Sequence, residues 1–153
     1  RGALMMYDYD KRLSVILAQK YPDLIEERGC YNNVYCLVTE FVVELKPLDK
    51  LRVLYCYRKG PDGRYYRHAF TVFNGKLVEP LLYLDMSEEN RKAIIPIREM
   101  SFDEYLDLLH EEKETTLRNT LYQADLDAVR SHGILKMLNP YDLANLYRKI
   151  SEQ

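Results

Sequence analysis

Residues 65–80 read YYRHAFTVFNGKLVEP, and this stretch predicts the centre of the fold. Asn74-Gly75 is a strong hairpin signal, because a type I′ turn needs a positive φ at both central positions. β-Branched and aromatic residues, which favour strands, flank the turn on both sides. We therefore predict an antiparallel hairpin with a two-residue loop, in which Phe73 pairs with Lys76.

This register determines which side chains share a face of the hairpin. Side chains alternate along a strand, so His68 and Glu79 lie on one face as diagonal neighbours, about 7–8 Å apart between backbone positions. A carboxylate there can hold an imidazole in one tautomer and stabilise its protonated form. A one-residue slip would move Glu79 to the opposite face, and the Asn-Gly turn argues against that slip. The alternative interpretation is a half-exposed strand histidine beside a surface glutamate.

A helix is predicted over residues 31–45, and Cys30 stands at its start. The apolar residues that recur at helical spacing are Val34, Leu37, Val38, Phe41, Val42 and Leu45. A helix N-terminus lowers the pKa of a thiol, and its unpaired N–H groups can stabilise an oxyanion. Gly29 allows a close approach of substrate backbone and a sharp turn into the helix. The alternative is a buried, inert cysteine.

Turn, capping and periodicity signals along the rest of the chain predict the other elements. The predicted elements are a helix from Asp8 or Asp10 to Lys20, strands over 51–58, 65–73, 76–84 and 94–97, and helices over 102–112, 115–131 and 141–150. Pro96 places the last strand at a sheet edge. The order predicts an α+β domain, in which N-terminal helices pack on an antiparallel β meander and C-terminal helices follow.

The length of the chain, residues 1–153, suits a single domain. We divide it into a catalytic-like core at about 8–100 and a C-terminal helical extension at about 101–153. The extension is rich in charged residues and is interpreted as a solvated face. The residues that this interpretation leaves unexplained are Leu117, Leu121 and Leu138. Because of these leucines, the alternative that the extension is a partner-binding surface stays open.

Composition limits the classes of function. The chain carries 22 basic and 24 acidic side chains, a net charge of −2, which gives no electrostatic argument for nucleic acid or an anionic membrane. No apolar run approaches the ~18–20 residues of a membrane span and no signal peptide is seen, so a cytoplasmic location is expected. Three cysteines make no disulfide framework. The 14 tyrosines suit pocket walls that bind a polar partner, or a tyrosine-rich core edge.

Four short motifs follow one another in the predicted order helix, strand, strand, strand. They are Gly29-Cys30-Tyr31-Asn32-Asn33, Tyr55-Cys56-Tyr57-Arg58-Lys59-Gly60, His68-Ala69-Phe70 and Gly75-Lys76-Leu77-Val78-Glu79-Pro80. Together they resemble the pattern of small bacterial and phage proteins of the papain-like and transglutaminase-like cysteine protease superfamily. The resemblance covers residues 29–80 and implies a papain-like core with a catalytic triad. In that triad Cys30 is the nucleophile, His68 the base and Glu79 the orienting acid.

The chain departs from that pattern at three points. Glu79 stands where Asp or Asn is usual, and Phe70 stands where Trp is common. Relatives often place a Gln a few residues before the cysteine as an oxyanion donor, whereas here only Gln19 precedes it. The backbone N–H of Cys30 is therefore the expected donor. The other candidates for contact with the substrate or the oxyanion are Gly29, Asn32 and Asn33; the two asparagines also suit a role in helix structure.

We expect a cysteine-dependent acyl transfer to, or hydrolysis of, an amide or peptide bond in a protein or peptide substrate, through a thioester. Peptidase, amidase, deamidase and transglutaminase reactions share this first half and stay open. No cofactor or metal is expected, because Cys36 and Cys56 suit small hydrophobic positions and no close zinc-ligand spacing occurs. The alternatives are a non-catalytic binding module with a papain-like fold, and a phage or bacterial protein that acts on a host partner. The oligomeric state is open.

Overall fold

The computed structural model describes residues 6–27, 29–114, 116–117 and 120–152. The fold is α+β, as the sequence predicts, with a five-stranded sheet and helices from both ends of the chain. The strands are β1 (Asp8–Tyr9), β2 (Leu51–Lys59), β3 (Tyr65–Phe73), β4 (Lys76–Val78) and β5 (Ile95–Ser101). The α-helices are α1 (Lys11–Lys20), α2 (Cys30–Thr39), α3 (Glu88–Lys92), α4 (Phe102–Glu112), α5 (Tyr122–His132) and α6 (Pro140–Ser151).

The sheet has the strand order β1-β4-β3-β2-β5. β2, β3 and β4 form the predicted antiparallel meander, and Phe73 pairs with Lys76 as the turn predicts. Asn74 and Gly75 have φ values of 52° and 79°, the positive values that this turn requires. β1 adds to β4 in parallel, so the sheet is mixed rather than purely antiparallel. β5 lies at the opposite edge beside β2, in agreement with Pro96.

β4 ends at Val78, so the prediction of a strand over 76–84 is wrong. The chain continues with Glu79 and Pro80, and a proline has no N–H to donate to a strand ladder. β3 extends past this point: in the described part of the chain, residues 66–70 pair with β2 on one side and with no strand on the other. The early end of β4 therefore leaves an open edge on β3.

α2 begins at Cys30 as predicted but is shorter than the helix predicted over 31–45. It ends at Thr39, and Phe41 then adopts a left-handed backbone conformation with a φ of 53°. A short 3-10 turn, Val43–Leu45, follows. β-Branched residues at the end of the predicted helix lower its helix propensity. The apolar spacing continues through this segment because the turn still buries its leucine in the core.

Three helices begin where the capping residues predict. Asp10 caps α1 by accepting a backbone hydrogen bond at 2.9 Å. Ser101 and Glu104 form the capping box of α4. Asn139 caps α6 by accepting from the N–H of Asp142 at 3.0 Å. These local signals are reliable because the side chain satisfies backbone N–H groups that the helix itself leaves unpaired.

α5 begins at Tyr122, so the helix predicted over 115–131 starts too early. Leu117 and Leu121 have positive φ values of 54° and 67°, which a regular right-handed helix excludes. Part of the predicted helix lies outside the described residues, namely Thr115, Arg118 and Asn119.

The two faces of the sheet are covered differently. α1, α2 and α4 bury one face in the main core, and α5 and α6 extend this layer around Tyr57. The opposite face carries a smaller cluster centred on Leu54, Cys56 and Phe70. Alternate residues of β2 and β3 therefore enter separate apolar layers, as the period of a strand requires.

The C-terminal helices carry a buried apolar stripe in addition to their charged, exposed face. Leu117 and Leu138 are buried, and Leu121 packs against the main core. This burial explains the three leucines that a purely solvated face left over, and it corrects that interpretation. Within the described ranges, no helix combines the length and the apolar character needed to cross a lipid bilayer.

Candidate active site

Cys30 is the first residue of α2, and it is only 8% exposed. Gly29 is the N-cap residue, and no side-chain hydrogen bond caps this end of the helix in the described part of the chain. Asn33 holds the loop before the helix: its Oδ1 accepts from the N–H of Glu26 at 2.6 Å, and its Nδ2 donates to the carbonyl of the same residue at 3.0 Å. These two bonds fix the loop that positions the thiol.

His68 and Glu79 form a buried pair, as the hairpin register predicts. The Nε2–H of His68 donates to Oε1 of Glu79 at 2.6 Å, and the two side chains are 6% and 4% exposed. Oε2 of Glu79 accepts from the N–H of Leu81 at 3.1 Å, and the N–H of Glu79 donates to Oγ of Ser14 at 2.9 Å. Because a carboxylate only accepts, this fixed group places a proton on Nε2.

The open edge of β3 brings the thiol and the imidazole together. The backbone N–H of Ala69, on this part of β3, interacts with the thiol of Cys30 and lowers its pKa. The ring of His68 also interacts with this thiol, and each group shifts the pKa of the other. Since Nε2 contacts Glu79, Nδ1 is the ring nitrogen left for the thiol. The three predicted catalytic side chains thus form one connected chain.

The electrostatics of the pair favour a thiolate beside an imidazolium. Burial by itself would raise the pKa of Cys30, but the attraction of His68 and its hydrogen bond outweigh burial and lower that pKa. Burial likewise opposes the charged imidazole, whereas Cys30 and Glu79 together raise the pKa of His68 to about 9. The two shifts stabilise the same state, and the thiolate is the nucleophilic form of cysteine.

The other two cysteines have different surroundings, although all three are free thiols. Cys56 lies directly across the β2–β3 ladder from His68, and burial raises the pKa of its thiol well above the ordinary value. Cys36 is half-buried on α2, and burial raises its pKa as well. Both therefore fit their interpretation as small hydrophobic residues.

Cys30 and His68 line a cleft of about 540 Å³. Six of the 14 tyrosines also line it, namely Tyr31, Tyr57, Tyr66, Tyr83, Tyr122 and Tyr141. Tyr83 and Tyr141 are 60% and 62% exposed and form part of the rim, whereas Tyr31 and Tyr57 are buried. Tyrosine therefore builds pocket walls here, one of the two roles that composition predicts.

The C-terminal helices supply a wall of this cleft. Arg67 of β3 donates to both oxygens of Asp125 on α5, at 2.7 and 3.1 Å, and the hydroxyl of Tyr57 donates to the same carboxylate at 2.7 Å. The backbone N–H of Arg67 donates to Asp142 on α6 at 2.9 Å. The predicted extension and the predicted core thus share one site.

The sequence analysis missed the Arg67–Asp125 pair. The two residues are 58 positions apart, so no local pattern joins them. One signal was present: Asp125 stands at helical spacing before Ala128 and Val129, which are buried. An acidic residue on the apolar stripe of a helix needs a buried partner.

The candidate substrate and oxyanion residues have different surroundings. Asn33 is buried and bonded to Glu26, so its side chain supports the loop and does not face the cleft. Asn32 and Gly29 do not line the cleft either. A Cβ at Gly29 would lie 3.1 Å from Cβ of Glu26, so glycine permits the tight loop. The backbone N–H of Cys30 is the remaining candidate for an oxyanion donor beside the sulfur.

Across the residues that the structure describes, no group of three or more His, Cys, Asp or Glu side chains is placed to hold a metal ion. Comparisons of the chain with protein-family models, with curated proteins and with solved structures gave no match. The function is therefore inferred from the geometry of the site alone.

Proposed function

We propose that this protein is a cysteine-dependent acyl-transfer enzyme that acts on an amide or peptide bond of a protein or peptide. The thiolate of Cys30 attacks the carbonyl carbon and forms a C–S bond and an oxyanion. Collapse breaks the C–N bond, and the leaving amine takes a proton from His68. Water or a second amine then attacks the thioester, His68 accepts the proton of this nucleophile, and the C–S bond breaks. Glu79 orients the ring and stabilises the imidazolium.

One observation carries this proposal: the thiol of Cys30 and the ring of His68 line one cleft and interact, and Nε2 of His68 donates to Glu79 at 2.6 Å. A cysteine that only fills space gains nothing from a partner that lowers the pKa of its thiol. A buried histidine and glutamate also cost free energy, which packing alone does not require. Perturbed titratable groups that converge on a cleft are typical of an active site.

The arrangement also supports a papain-like layout, in which a thiol at a helix N-terminus meets a histidine on a sheet. Glu79 serves in the orienting position because its longer side chain reaches Nε2 of His68 at 2.6 Å. Gln19 is exposed on α1 and does not line the cleft. The start of α2 therefore takes over oxyanion stabilisation in this proposal, through backbone N–H groups.

Alkylation with iodoacetamide, followed by peptide mapping, tests the thiolate. We expect Cys30 to react at least about tenfold faster than Cys36 near pH 7, because alkylation follows the thiolate fraction. This order is the reverse of the order of exposure, since Cys36 is the more accessible of the two. Labelling that follows exposure would contradict the proposal.

A second measurement tests bond cleavage. A mixture of synthetic peptides is incubated with the wild type and with Cys30→Ala, which removes only the sulfur, and products are identified by mass spectrometry. New termini indicate hydrolysis, and new isopeptide bonds indicate transfer to an amine. Identical product sets for the two proteins would argue against catalysis by Cys30.

A non-catalytic binding module is the second candidate function, and the tyrosine-lined cleft favours it. Tyrosine offers flat apolar area with a polar end, which suits peptide binding at a low cost in side-chain entropy. This candidate predicts that peptides protect Cys30 from alkylation and are never converted. Conversion of any bound peptide would exclude it.

A further inference from the structure

Arg58 lines the same cleft as Cys30 and His68. On β2, Arg58 lies two residues after Cys56. Across the β2–β3 ladder, Arg58 pairs with Tyr66, and Cys56 pairs with His68. Residues two apart on a strand share a face. Arg58 is therefore a diagonal neighbour of His68 on one face of the sheet, about 7–8 Å away between backbone positions.

The guanidinium of Arg58 has no acidic partner in the described part of the chain. Among the described residues, its Nε is buried without a hydrogen-bond partner, and its Nη1 makes a long contact of 3.5 Å with the carbonyl of Lys59. A buried donor without an acceptor costs free energy. The guanidinium therefore keeps donor capacity for an acceptor that enters the cleft.

The two carboxylates that line the cleft are already engaged. Asp125 accepts from Arg67 and from Tyr57. Asp142 accepts from the backbone N–H of Arg67 and from the side chain of Asn139. Neither forms an ion pair with Arg58, so its guanidinium is not held by either acid that lines the cleft.

We propose that Arg58 binds a carboxylate of the substrate, so that the enzyme acts on peptides that carry an anionic group near the attacked bond. A guanidinium matches a carboxylate through two parallel hydrogen bonds. Arg58 and Cys30 line one cleft, so a carboxylate that Arg58 binds lies near the attacked carbonyl. The carboxylate is either an Asp or Glu side chain or the C-terminus of the peptide. That the carboxylate belongs to a substrate rests on the proposed function, whereas the carboxylate site itself does not.

Charged and neutral alkylating probes of Cys30 measure this site without a known substrate. Iodoacetate and iodoacetamide form the shortest pair. N-Bromoacetyl-alanine carries a C-terminal carboxylate, N-bromoacetyl-glutamate α-amide carries a side-chain carboxylate, and each is paired with its neutral amide. In every case the sulfur displaces a halide and forms a C–S bond. The readout is the ratio of the anionic rate to the neutral rate, which cancels changes in the reactivity of the thiolate.

We expect Arg58→Gln to lower this ratio about tenfold for at least one of the bromoacetyl pairs. Arg58→Lys should retain part of the preference, since it keeps the charge and loses the forked geometry. Lys59→Gln is the matched control, because Lys59 is the next cation of β2 and does not line this cleft. The pair that responds identifies a C-terminal or a side-chain carboxylate.

An unchanged ratio in Arg58→Gln for every pair would overturn the proposal. If that variant does not fold, the site is tested in the wild type by protection of Cys30 from iodoacetamide. N-acetylalanine or N-acetylglutamate α-amide should slow the labelling of Cys30, and N-acetylalaninamide should not. Equal protection by acids and amide would also overturn the carboxylate site. Slow labelling of Cys30 by iodoacetamide in unprotected wild type contradicts the acyl-transfer proposal instead, and the ratio still reports on Arg58.

Discussion

Arg67 and His68 are consecutive residues of β3 whose side chains point to opposite faces of the sheet. Each forms a buried ion pair with a carboxylate: Arg67 with the distant Asp125 of α5, and His68 with Glu79, which follows the same hairpin. The closest contacts are 2.7 Å between Arg67 and Asp125, and 2.6 Å between His68 and Glu79. Two neighbouring residues that line the same cleft thus each form a buried cation–carboxylate pair.

The two pairs differ in whether the cation can lose its proton. Arg67 stays charged at any pH that the protein meets, and its pair with Asp125 joins α5 to the sheet. His68 has one ring nitrogen on Glu79 and the other beside Cys30, so its proton can move to a reacting group. A buried cation–carboxylate pair therefore holds the fold together when its charge is permanent. It supports chemistry when the cation titrates next to a nucleophile.

The largest effect is expected from a substitution that breaks the structural pair of Arg67 and Asp125. Asp125→Ala should lower the free energy of unfolding by about 3–5 kcal/mol, because it removes the buried carboxylate that accepts from Arg67 and Tyr57. Urea denaturation measures this. Asp127→Ala is the matched control on the exposed face of the same helix, and it should cost less than about 0.5 kcal/mol. Equal losses in the two variants would show that the buried pair has no special role.

The next largest effect is expected from removal of His68, the cation that titrates. His68→Ala should slow alkylation of Cys30 by iodoacetamide roughly tenfold at pH 7, because the thiol loses the partner that lowers its pKa. His110→Ala, which changes an exposed histidine, is the control. If both variants react at the wild-type rate, the imidazole does not activate the thiol.

A smaller effect, on the pKa of His68, tests the role of Glu79. Glu79→Gln removes the charge but keeps the size of the side chain, and it should lower the pKa of His68 from about 9 by roughly one unit, or about 1.4 kcal/mol. Proton NMR of the imidazole ring across pH measures the shift. Glu88→Gln, on an exposed glutamate, should leave this pKa in place. A pKa that stays at its wild-type value in Glu79→Gln would remove the acid from the triad.

The smallest expected effect is on the pH dependence of the free energy of unfolding, to which His68 and Cys30 contribute with opposite signs. The stabilisation from the raised pKa of His68 is fully present below about pH 6.5 and is lost as pH rises through about 9. That from the lowered pKa of Cys30 is fully present above about pH 8.5 and is lost as pH falls through its folded value. These slopes oppose each other, so the free energy of unfolding should change little between pH 7 and 8.

Urea denaturation at several pH values in this interval measures that compensation. Either group by itself would give a slope of up to about 1.4 kcal/mol per pH unit. A slope near that limit would mean that only one of the two pKa values is shifted, and the thiolate–imidazolium pair would then not exist in the folded protein.

Much of the fold was predictable because its causes are local. The Asn74-Gly75 turn set the register of the hairpin, and with it the shared face of His68 and Glu79. Capping residues marked the starts of α1, α4 and α6. Each of these signals depends on the φ preferences or hydrogen bonds of a few adjacent residues.

The prediction failed where an element ends through its surroundings. The apolar spacing past Thr39 fits a helix, but Phe41 turns the chain and the leucine that follows still reaches the core. The apolar residues after Pro80 fit a strand, yet β4 stops before them. Periodicity reports burial, and burial alone does not distinguish a continued element from a packed turn.

The local sequence was sufficient to place a thiol at a helix start and an imidazole beside a carboxylate on a hairpin, because turns and caps are formed by neighbours in the chain. Only packing decided that these groups meet at the open edge of β3, that Arg67 joins the C-terminal helices to the sheet, and that Arg58 lines the cleft with a donor left unpartnered by the described residues. Such contacts join residues tens of positions apart. Their free energy depends on which surfaces the whole chain buries together, and that leaves little trace in any short window of sequence.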